Sequence, residues 1–192
     1  MKTFKTVLTA LVVALGMSSC GYNTMVEKQE SVEAAWSQVE NVYQRRADLI
    51  PNLVATVKGY AQHEEETLTK VVEARSKATS VTIDPTNLDE ASLQKFQQAQ
   101  DGLSSALSRL LMVQENYPDL KANEQFRDLQ TQLEGTENRI TVERQKFNDT
   151  ARDYNTYIRQ FPNNLYAGFF GFSAKPYFAA KAGADEAPEV KF

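Results

Sequence analysis

The sequence predicts an all-α protein, specifically an up-and-down antiparallel four-helix bundle with long helices. Apolar residues recur at alternating steps of three and four along most of the chain, which is the spacing of one apolar stripe on an α-helix. No stretch shows the alternation that is typical of a β-strand, and the stripes are interrupted at proline-containing breaks. Long helices joined by short connections pack antiparallel beside one another, so these observations favour a bundle.

The first stripe runs from Val32 to Val71 and contains Pro51. Proline inside a helix removes a hydrogen bond and clashes with the preceding turn, whereas it is favourable in the first turn of a new helix. The chain therefore either kinks or reverses at Pro51. A single helix through this position would be about 85 Å long at 1.5 Å per residue. Such a helix would leave Trp36 and Tyr43 without packing partners, so we expect a reversal.

The third helix is bounded by two proline-containing breaks. Asp84 can cap a helix and Pro85 suits its first turn. The apolar stripe then extends from Phe96 to Tyr117, and it ends there because Pro118 disfavours helical dihedral angles at the residue before it. The short connection that follows predicts that the next helix lies antiparallel to this one.

The fourth stripe is the longest and extends from Phe126 to Phe161. Gly135 lies within it at a cost of up to about 1 kcal/mol relative to alanine, which indicates a close helix approach or a slight bend. Beyond this stripe, residues 166–178 contain six aromatic residues in 13 positions. This segment either caps the open end of the bundle or contacts lipid headgroups. We expect residues 173–192 to form a flexible C-terminal tail.

The N-terminal stretch has the layout of a secretory signal peptide, with two lysines, an apolar run and small residues before Cys20, the single cysteine. Residues 17–20 resemble the lipobox of bacterial lipoproteins, in which the cysteine becomes the first mature residue and carries lipid. The alternative is an uncleaved transmembrane helix, but residues 6–21 number 16, fewer than the about 20 apolar residues that span a bilayer. We therefore expect residues 1–19 to be a lipoprotein signal peptide and Cys20 to be the lipidation site. The mature chain would then be anchored to a membrane on its periplasmic or extracellular side.

The composition of the whole chain, including the leader, is that of an ordinary soluble domain with an excess of acidic residues. Charged residues make up 24% of the chain, hydrophobic residues make up 42%, and the formal net charge is −4. No block of lysine and arginine is dense enough to follow a phosphate backbone, so nucleic acid is not expected as a partner.

Short segments spread along the mature chain together carry a family resemblance. They are Tyr22-Asn23, Ala35-Trp36, residues 45–54 (RRADLIPNLV), residues 57–61 (VKGYA), His63-Glu64, Ala74-Arg75, residues 115–120 (ENYPDL), Leu129-Gln130, residues 136–138 (TEN), Ala151-Arg152, Tyr154-Asn155 and Phe161-Pro162. Together they resemble the LemA family across essentially the whole mature chain. The resemblance implies that residues 20–172 form a membrane-attached four-helix up-and-down bundle whose molecular function is not established. Many members have an N-terminal transmembrane helix, whereas this chain has the lipobox-like stretch in its place.

The known catalytic and metal-binding motifs are incomplete in this sequence. His63-Glu64 begins like the zinc motif H-E-x-x-H, but Thr67 stands where the second histidine is required. A di-iron carboxylate site needs two Glu-x-x-His motifs, and His63 is the single histidine. A lipidated Cys20 cannot act as a nucleophile, and neither a G-x-S-x-G elbow nor a P-loop occurs. The sequence therefore predicts no catalytic residue, no metal site and no cofactor.

Polar residues border the apolar stripes and form a candidate polar seam. A buried charge is costly unless it is paired, so the structural interpretation is that Arg46 and Arg75 pair with carboxylates such as Glu115 or Glu137 and fix the helix register. The functional interpretation is that some of these residues line a cleft for a small ligand or for a peptide of a partner. The seam comprises Arg46, Asp48, Asn52, His63, Glu64, Arg75, Glu115, Glu137, Asn138 and Asn155.

Two function hypotheses follow. The first is a binding or scaffolding module at the cell envelope, with membrane lipid bound through Cys20 and an envelope protein as partner. The second is a small-molecule sensor or an enzyme that uses the Arg/Glu/Asn seam between the helices. A deep pocket with unpaired Arg46 or Glu137 would favour the second hypothesis, and a solid interior with paired charges would favour the first.

Overall fold

The computed structural model describes the backbone of residues 2–179 and the side chains of residues 21–179, and this part of the chain is all-helical with no strand. The predicted lipidation site Cys20 and the residues 180–192 of the predicted tail lie outside the described side chains. The described part contains five α-helices, which are α1 (Lys2–Tyr60), α2 (Glu65–Ser80), α3 (Glu90–Met112), α4 (Pro118–Ala122) and α5 (Glu124–Arg159). Short 3₁₀ turns occupy Pro85–Asn87, Val113–Asn116 and Asn163–Leu165.

The reversal predicted at Pro51 is wrong, because α1 continues through this proline and ends at Tyr60. The chain reverses instead over residues 61–64, between α1 and α2. The Pro51 ring lies on the exposed side of α1, where it does not disturb the packing.

Short polar side chains begin the later helices, but the cap of α3 is Asp89 and not the predicted Asp84. The Asp84 carboxylate accepts a hydrogen bond from the Thr86 backbone amide, which starts the 3₁₀ turn at Pro85. Asp89 and Ser92 form a reciprocal capping box at the start of α3. The Asn123 side chain caps α5. Each of these contacts satisfies a backbone donor that the first helical turn leaves unpaired.

Helices α1 and α5 run antiparallel along most of their length. Contacts between them step in opposite directions along the two helices, from Tyr60 with Asn123, through Arg46 with Glu137, to Trp36 with Phe147. Helix α2 packs against both α1 and α3. The Gly135 position on α5 faces open space, so the close helix approach expected there does not occur.

The buried apolar residues form two clusters that divide α1 between Tyr43 and Ile50. We call the cluster around the C-terminal half of α1 the aliphatic core, and it includes Ile50, Leu53, Val57, Leu68, Val71, Leu103, Leu107, Leu110, Leu120, Phe126, Leu129 and Leu133. We call the cluster around the N-terminal half of α1 the aromatic core, and it includes Met25, Val32, Trp36, Val39, Tyr43, Leu93, Phe96, Ile140, Phe147, Tyr154, Ile158 and Phe178.

The C-terminal segment, residues 172–179, lies in non-helical conformation against the aromatic core. The Phe178 ring is buried and stacks on the Trp36 indole with ring centroids 5.9 Å apart. Phe96 from α3 and Phe147 from α5 contact the same indole edge-on. The packed part of the chain therefore extends to residue 179, beyond the residue 173 at which the sequence placed the start of a flexible tail.

Candidate functional site

Arg46 is the centre of the polar seam and lies buried on α1 between the aliphatic and the aromatic core. Its Nη1 donates to the Ser104 hydroxyl at 2.8 Å and to the Glu137 carboxylate at 3.0 Å. Its Nη2 donates to the side-chain oxygen of Gln100 at 2.7 Å and to the backbone oxygen of the same residue at 3.3 Å. The guanidinium also packs over the Tyr43 ring, 5.1 Å from its centroid. The prediction that Arg46 pairs with a carboxylate such as Glu115 or Glu137 is confirmed, and the structure identifies the partner as Glu137.

Gln100 extends this network to the end of α2. Its amide nitrogen donates to the backbone oxygen of Ala78 in the last turn of α2. This oxygen lies too close to the end of α2 to accept a hydrogen bond from an amide of the same helix. The Arg46 network therefore connects α1, α3, α5 and the C-terminal end of α2. We call this set the Arg46 hub, and it consists of Arg46, Gln100, Ser104 and Glu137.

Arg75 compensates for the proline in α1. Because proline has no amide hydrogen, Pro51 cannot donate to the Ala47 carbonyl four residues before it. The Arg75 Nε on α2 donates to that carbonyl oxygen at 2.8 Å. The expected pairing of Arg75 with a carboxylate such as Glu115 or Glu137 is therefore wrong, since Arg75 donates to a backbone oxygen and Glu115 instead pairs with Lys121 at 3.0 Å.

The end of the molecule where α1 turns into α2 holds three further seam residues. Glu64 accepts a hydrogen bond from the Tyr117 hydroxyl at 3.3 Å, and desolvation together with the Glu64 charge raises the pKa of Tyr117. Glu115 precedes Tyr117 by two residues and is exposed. His63 is exposed in the turn between α1 and α2. We call this region the distal end.

Asparagine side chains on α5 hold the C-terminal segment. Asn155 is buried, and its amide donates to the Lys175 backbone oxygen at 2.8 Å while its own oxygen accepts from the Lys175 amide. Asn148 forms the same pair of bonds with Phe178. The Lys175 ammonium donates to the Thr86 backbone oxygen at 2.8 Å, and burial lowers the pKa of this lysine. Asn155 therefore has a packing role. The side-chain amides of Asn148 and Asn155 bond the backbone N–H and C=O groups of the C-terminal segment, as the backbone of a neighbouring strand would.

The remaining seam residues are not brought into the interior. Asp48, Asn52 and Asn138 are exposed, and Asp48 accepts a hydrogen bond from the Gln44 side chain one turn before it. The seam predicted from the sequence is thus several separate contacts and not one continuous site.

Three residues of these networks were not predicted from the sequence, namely Gln100, Ser104 and Lys175. Gln100 follows Phe96 by four residues and precedes Leu103 by three, so it lies in phase with the buried stripe of α3. A polar residue in phase with a stripe was the signal that could have identified it. Lys175 lies in an aperiodic segment, where no such signal exists.

Clefts border the seam at two places. A cleft of about 320 Å³ between α3 and α5 is lined by Arg46, Ser108 and Glu137. A second cleft of about 490 Å³ between α1 and α5 is lined by Arg45 and Arg139. Within the described side chains, no group of three or more His, Cys, Asp or Glu is placed to hold a metal ion. The same part of the chain contains no helix with the length and hydropathy to span a bilayer.

Comparisons with known proteins identify relatives that match most of the chain. Magnetosome protein MamQ 2 of Paramagnetospirillum magneticum is 29% identical over 181 residues, which cover 85% of this chain and 66% of that protein. Magnetosome protein MamQ of Magnetospirillum gryphiswaldense is 27% identical over 181 residues with the same coverage. Protein LemA of Metamycoplasma hominis is 28% identical over 145 residues, which cover 76% of this chain and 63% of that protein.

The chain spans slightly less than two thirds of the length of these relatives. The model of the LemA family matches residues 35–192, which include all of α2 to α5 and the part of α1 that carries Trp36, Arg46 and Pro51. The chain therefore belongs to the LemA family.

Proposed function

We propose that this protein is a membrane-anchored binding or scaffolding module of the cell envelope. In this proposal, α1, α2, α3 and α5 form a four-helix up-and-down bundle that stands on the membrane through its N-terminus. The family membership and the all-helical architecture support the bundle.

The continuity of α1 is the observation that carries the proposal. From Gly21, the residue that follows the proposed anchor, α1 runs without a break to Tyr60 at the distal end. From Tyr22 to Tyr60 it rises by about 57 Å at 1.5 Å per residue. An anchor at Cys20 would therefore fix one end of the bundle at the membrane and present His63 and Glu64 at the opposite end.

A lipid anchor at Cys20 would give a stable attachment. Each buried methylene of an acyl chain contributes about 0.8 kcal/mol, and two or three chains hold a protein on a bilayer almost permanently. Residues 1–19 would be removed as a signal peptide, and the bundle would face the periplasm or the cell exterior.

The pairing of the buried charge also supports a scaffold. Arg46 makes four hydrogen bonds to three residues on two neighbouring helices, so its charge stabilises the packing of the bundle. A catalytic or ligand-binding arginine would instead direct its guanidinium into an open site.

The second candidate, a small-molecule sensor or enzyme, is favoured by two observations at one place. The cleft beside Arg46 and Glu137 has a volume of about 320 Å³, and the Arg46 Nε is buried without a hydrogen-bond partner among the described residues. This function predicts a small molecule that copurifies with the protein. Native mass spectrometry would detect it, and a Ser108→Trp variant that fills the cleft would lose it.

Intact mass spectrometry of the protein extracted from membranes of its native host tests the first candidate. We expect a chain that begins at Cys20 and carries acyl mass, and we expect the Cys20→Ala variant to be unlipidated and mislocalised. A chain that still begins at Met1 without acyl mass would contradict the lipid anchor.

A further inference from the structure

The segment that follows α5 exposes several large apolar side chains at one end of the molecule. Phe161, Leu165 and Phe169 are 80%, 71% and 87% exposed. Exposed apolar residues that are grouped on one surface mark an interaction site more often than isolated ones do. We call this group the aromatic end surface, and it consists of Tyr22, Phe161, Leu165, Phe169 and Phe170.

Hydrogen bonds and ring contacts hold the loop that carries the aromatic end surface. The Phe172 amide donates to the Ala167 backbone oxygen at 2.9 Å, and Gly171 between them has a φ of 82°, which favours glycine. The Tyr22 ring on α1 contacts the Phe170 and Phe172 rings edge-on, with centroids 5.2 and 5.5 Å apart. The fold therefore holds these rings outward in a defined arrangement.

The aromatic end surface lies at the end of the molecule where α1 continues from residues 1–20. A β-carbon added at Gly21 would overlap the Tyr166 hydroxyl and lie 3.0 Å from the Asn163 side-chain oxygen. The loop after α5 thus packs directly against the residue that follows Cys20. The inference rests on the proposed anchor, and a lipid on Cys20 or an uncleaved leader helix would place the membrane at the same end.

The charge of this region differs from that of the rest of the chain. The whole sequence carries 25 Asp and Glu against 21 Lys and Arg, whereas residues 154–172, which lead into and form the loop of this surface, contain Arg159 and no carboxylate side chain. A region with aromatic rings and no acidic side chain suits the interface of an anionic membrane, where aromatic rings are enriched and carboxylates are repelled.

We infer that the aromatic end surface inserts into the interfacial region of the phospholipid bilayer that carries the anchor. Insertion there would bury the exposed rings and hold the long axis of the bundle in a fixed orientation to the membrane. A single flexible tether would leave that orientation free.

The test uses the full-length protein extracted with its own anchor and reconstituted into vesicles of phosphatidylcholine and phosphatidylglycerol. A Phe169→Trp variant reports on the aromatic end surface. A Met112→Trp variant is the matched control, since Met112 is also exposed but ends α3 near the distal end. The native Trp36 is fully buried and contributes the same background to both variants. Tryptophan fluorescence is then compared between ordinary and brominated lipids.

We expect the added emission of Phe169→Trp to shift to shorter wavelength and to be quenched by brominated lipid, and the emission of Met112→Trp to be unaffected. Vesicle-bound protein in which neither tryptophan is quenched would overturn the inference and leave the anchor intact. Shielding of Phe169→Trp that requires added membrane proteins would also overturn it, because the occupant would then be a protein. A chain that does not float with the vesicles would overturn the anchor and the inference together.

Discussion

The two halves of the core surround α1 in different ways. In the aliphatic core, α2 and α5 pack against α1, and Leu103, Leu107 and Leu110 of α3 belong to the same cluster, so helices supply the packing. In the aromatic core, the end of α2 at Ser80 leaves part of α1 uncovered. The C-terminal segment and the loop residues Ile83 and Leu88 fill that space.

The difference shows how a long helix can be buried beside a short one. Helix α2 has 16 residues and is about 24 Å long, whereas the part of α1 with described side chains extends over about 60 Å. Large rings compensate for the missing helix, since each buried aromatic side chain covers more surface than an aliphatic one. The Arg46 hub lies at the boundary, where the packing changes from helices to rings.

The largest expected effect tests whether the C-terminal segment belongs to the core. A Phe178→Ala substitution removes a buried ring that contacts Trp36 and Phe147, so we expect the free energy of unfolding to fall by about 3–5 kcal/mol in urea titrations. The matched control is Phe169→Ala, which makes the same chemical change at an exposed ring and should change stability by less than about 0.5 kcal/mol. Equal small losses for both variants would show that residues 172–179 do not contribute to the core.

The second effect concerns the boundary between the two halves. An Arg46→Ala substitution leaves Gln100 and Ser104 without their donor, and we expect a loss of about 3 kcal/mol in the free energy of unfolding. Arg45→Ala is the control, because Arg45 is exposed on the same turn and its removal should cost less than about 0.5 kcal/mol. Arg46→Lys should restore only part of the loss, since an ammonium cannot reproduce the planar fork of the guanidinium. Comparable costs at positions 45 and 46 would contradict the role of the hub.

Much of the helical part of this architecture could be predicted from the sequence. The apolar stripes locate the buried faces of α1, α3 and α5, and Asp84 and Pro118 mark the breaks between helices. These signals are local, because helical periodicity and capping depend on residues within a few positions of each other. The position of Arg46 in phase with an apolar stripe predicted that it pairs with a carboxylate, but it did not distinguish Glu137 from Glu115.

The prediction of a reversal at Pro51 was wrong because two contacts that stabilise a continuous α1 come from residues distant in sequence. Arg75 lies 28 residues from the Ala47 carbonyl that it satisfies. Phe178 comes from an aperiodic segment more than 100 residues away, yet it packs on Trp36 and supplies the partner that a long α1 needs. Periodicity contains no information on either contact. The number of helices that surround α1 at each level was therefore beyond a sequence-based prediction.

The third effect tests whether Arg75 replaces the hydrogen bond that Pro51 cannot make. In the native chain we expect Arg75→Ala to lower the free energy of unfolding by about 2 kcal/mol, because the Ala47 carbonyl loses a charged donor. In a Pro51→Ala chain, the amide of residue 51 donates to the Ala47 carbonyl. We therefore expect Arg75→Ala to lower the free energy of unfolding by clearly less in that chain than in the native one. A double-mutant cycle by urea unfolding measures this coupling. Purely additive effects of the two substitutions would refute the compensation, and Lys77→Ala, an exposed cation on the same helix, serves as the control.

The smallest effect concerns polar atoms that the aromatic core buries. The Tyr154 hydroxyl is buried without a hydrogen-bond partner among the described residues, and burial, with a smaller contribution from Glu33, raises the pKa of Tyr154 from 10.0 to about 12. Below pH 10 the folded and unfolded chains both keep the phenol proton. Above pH 10 the unfolded chain loses it first, so the free energy of unfolding falls between pH 10 and 12. We expect Tyr154→Phe to be close to neutral at pH 8 and to lose about 1 kcal/mol less than the native chain between pH 8 and 11. An alkaline loss in Tyr154→Phe identical to that of the native chain would show that this phenol is not a buried group of the aromatic core.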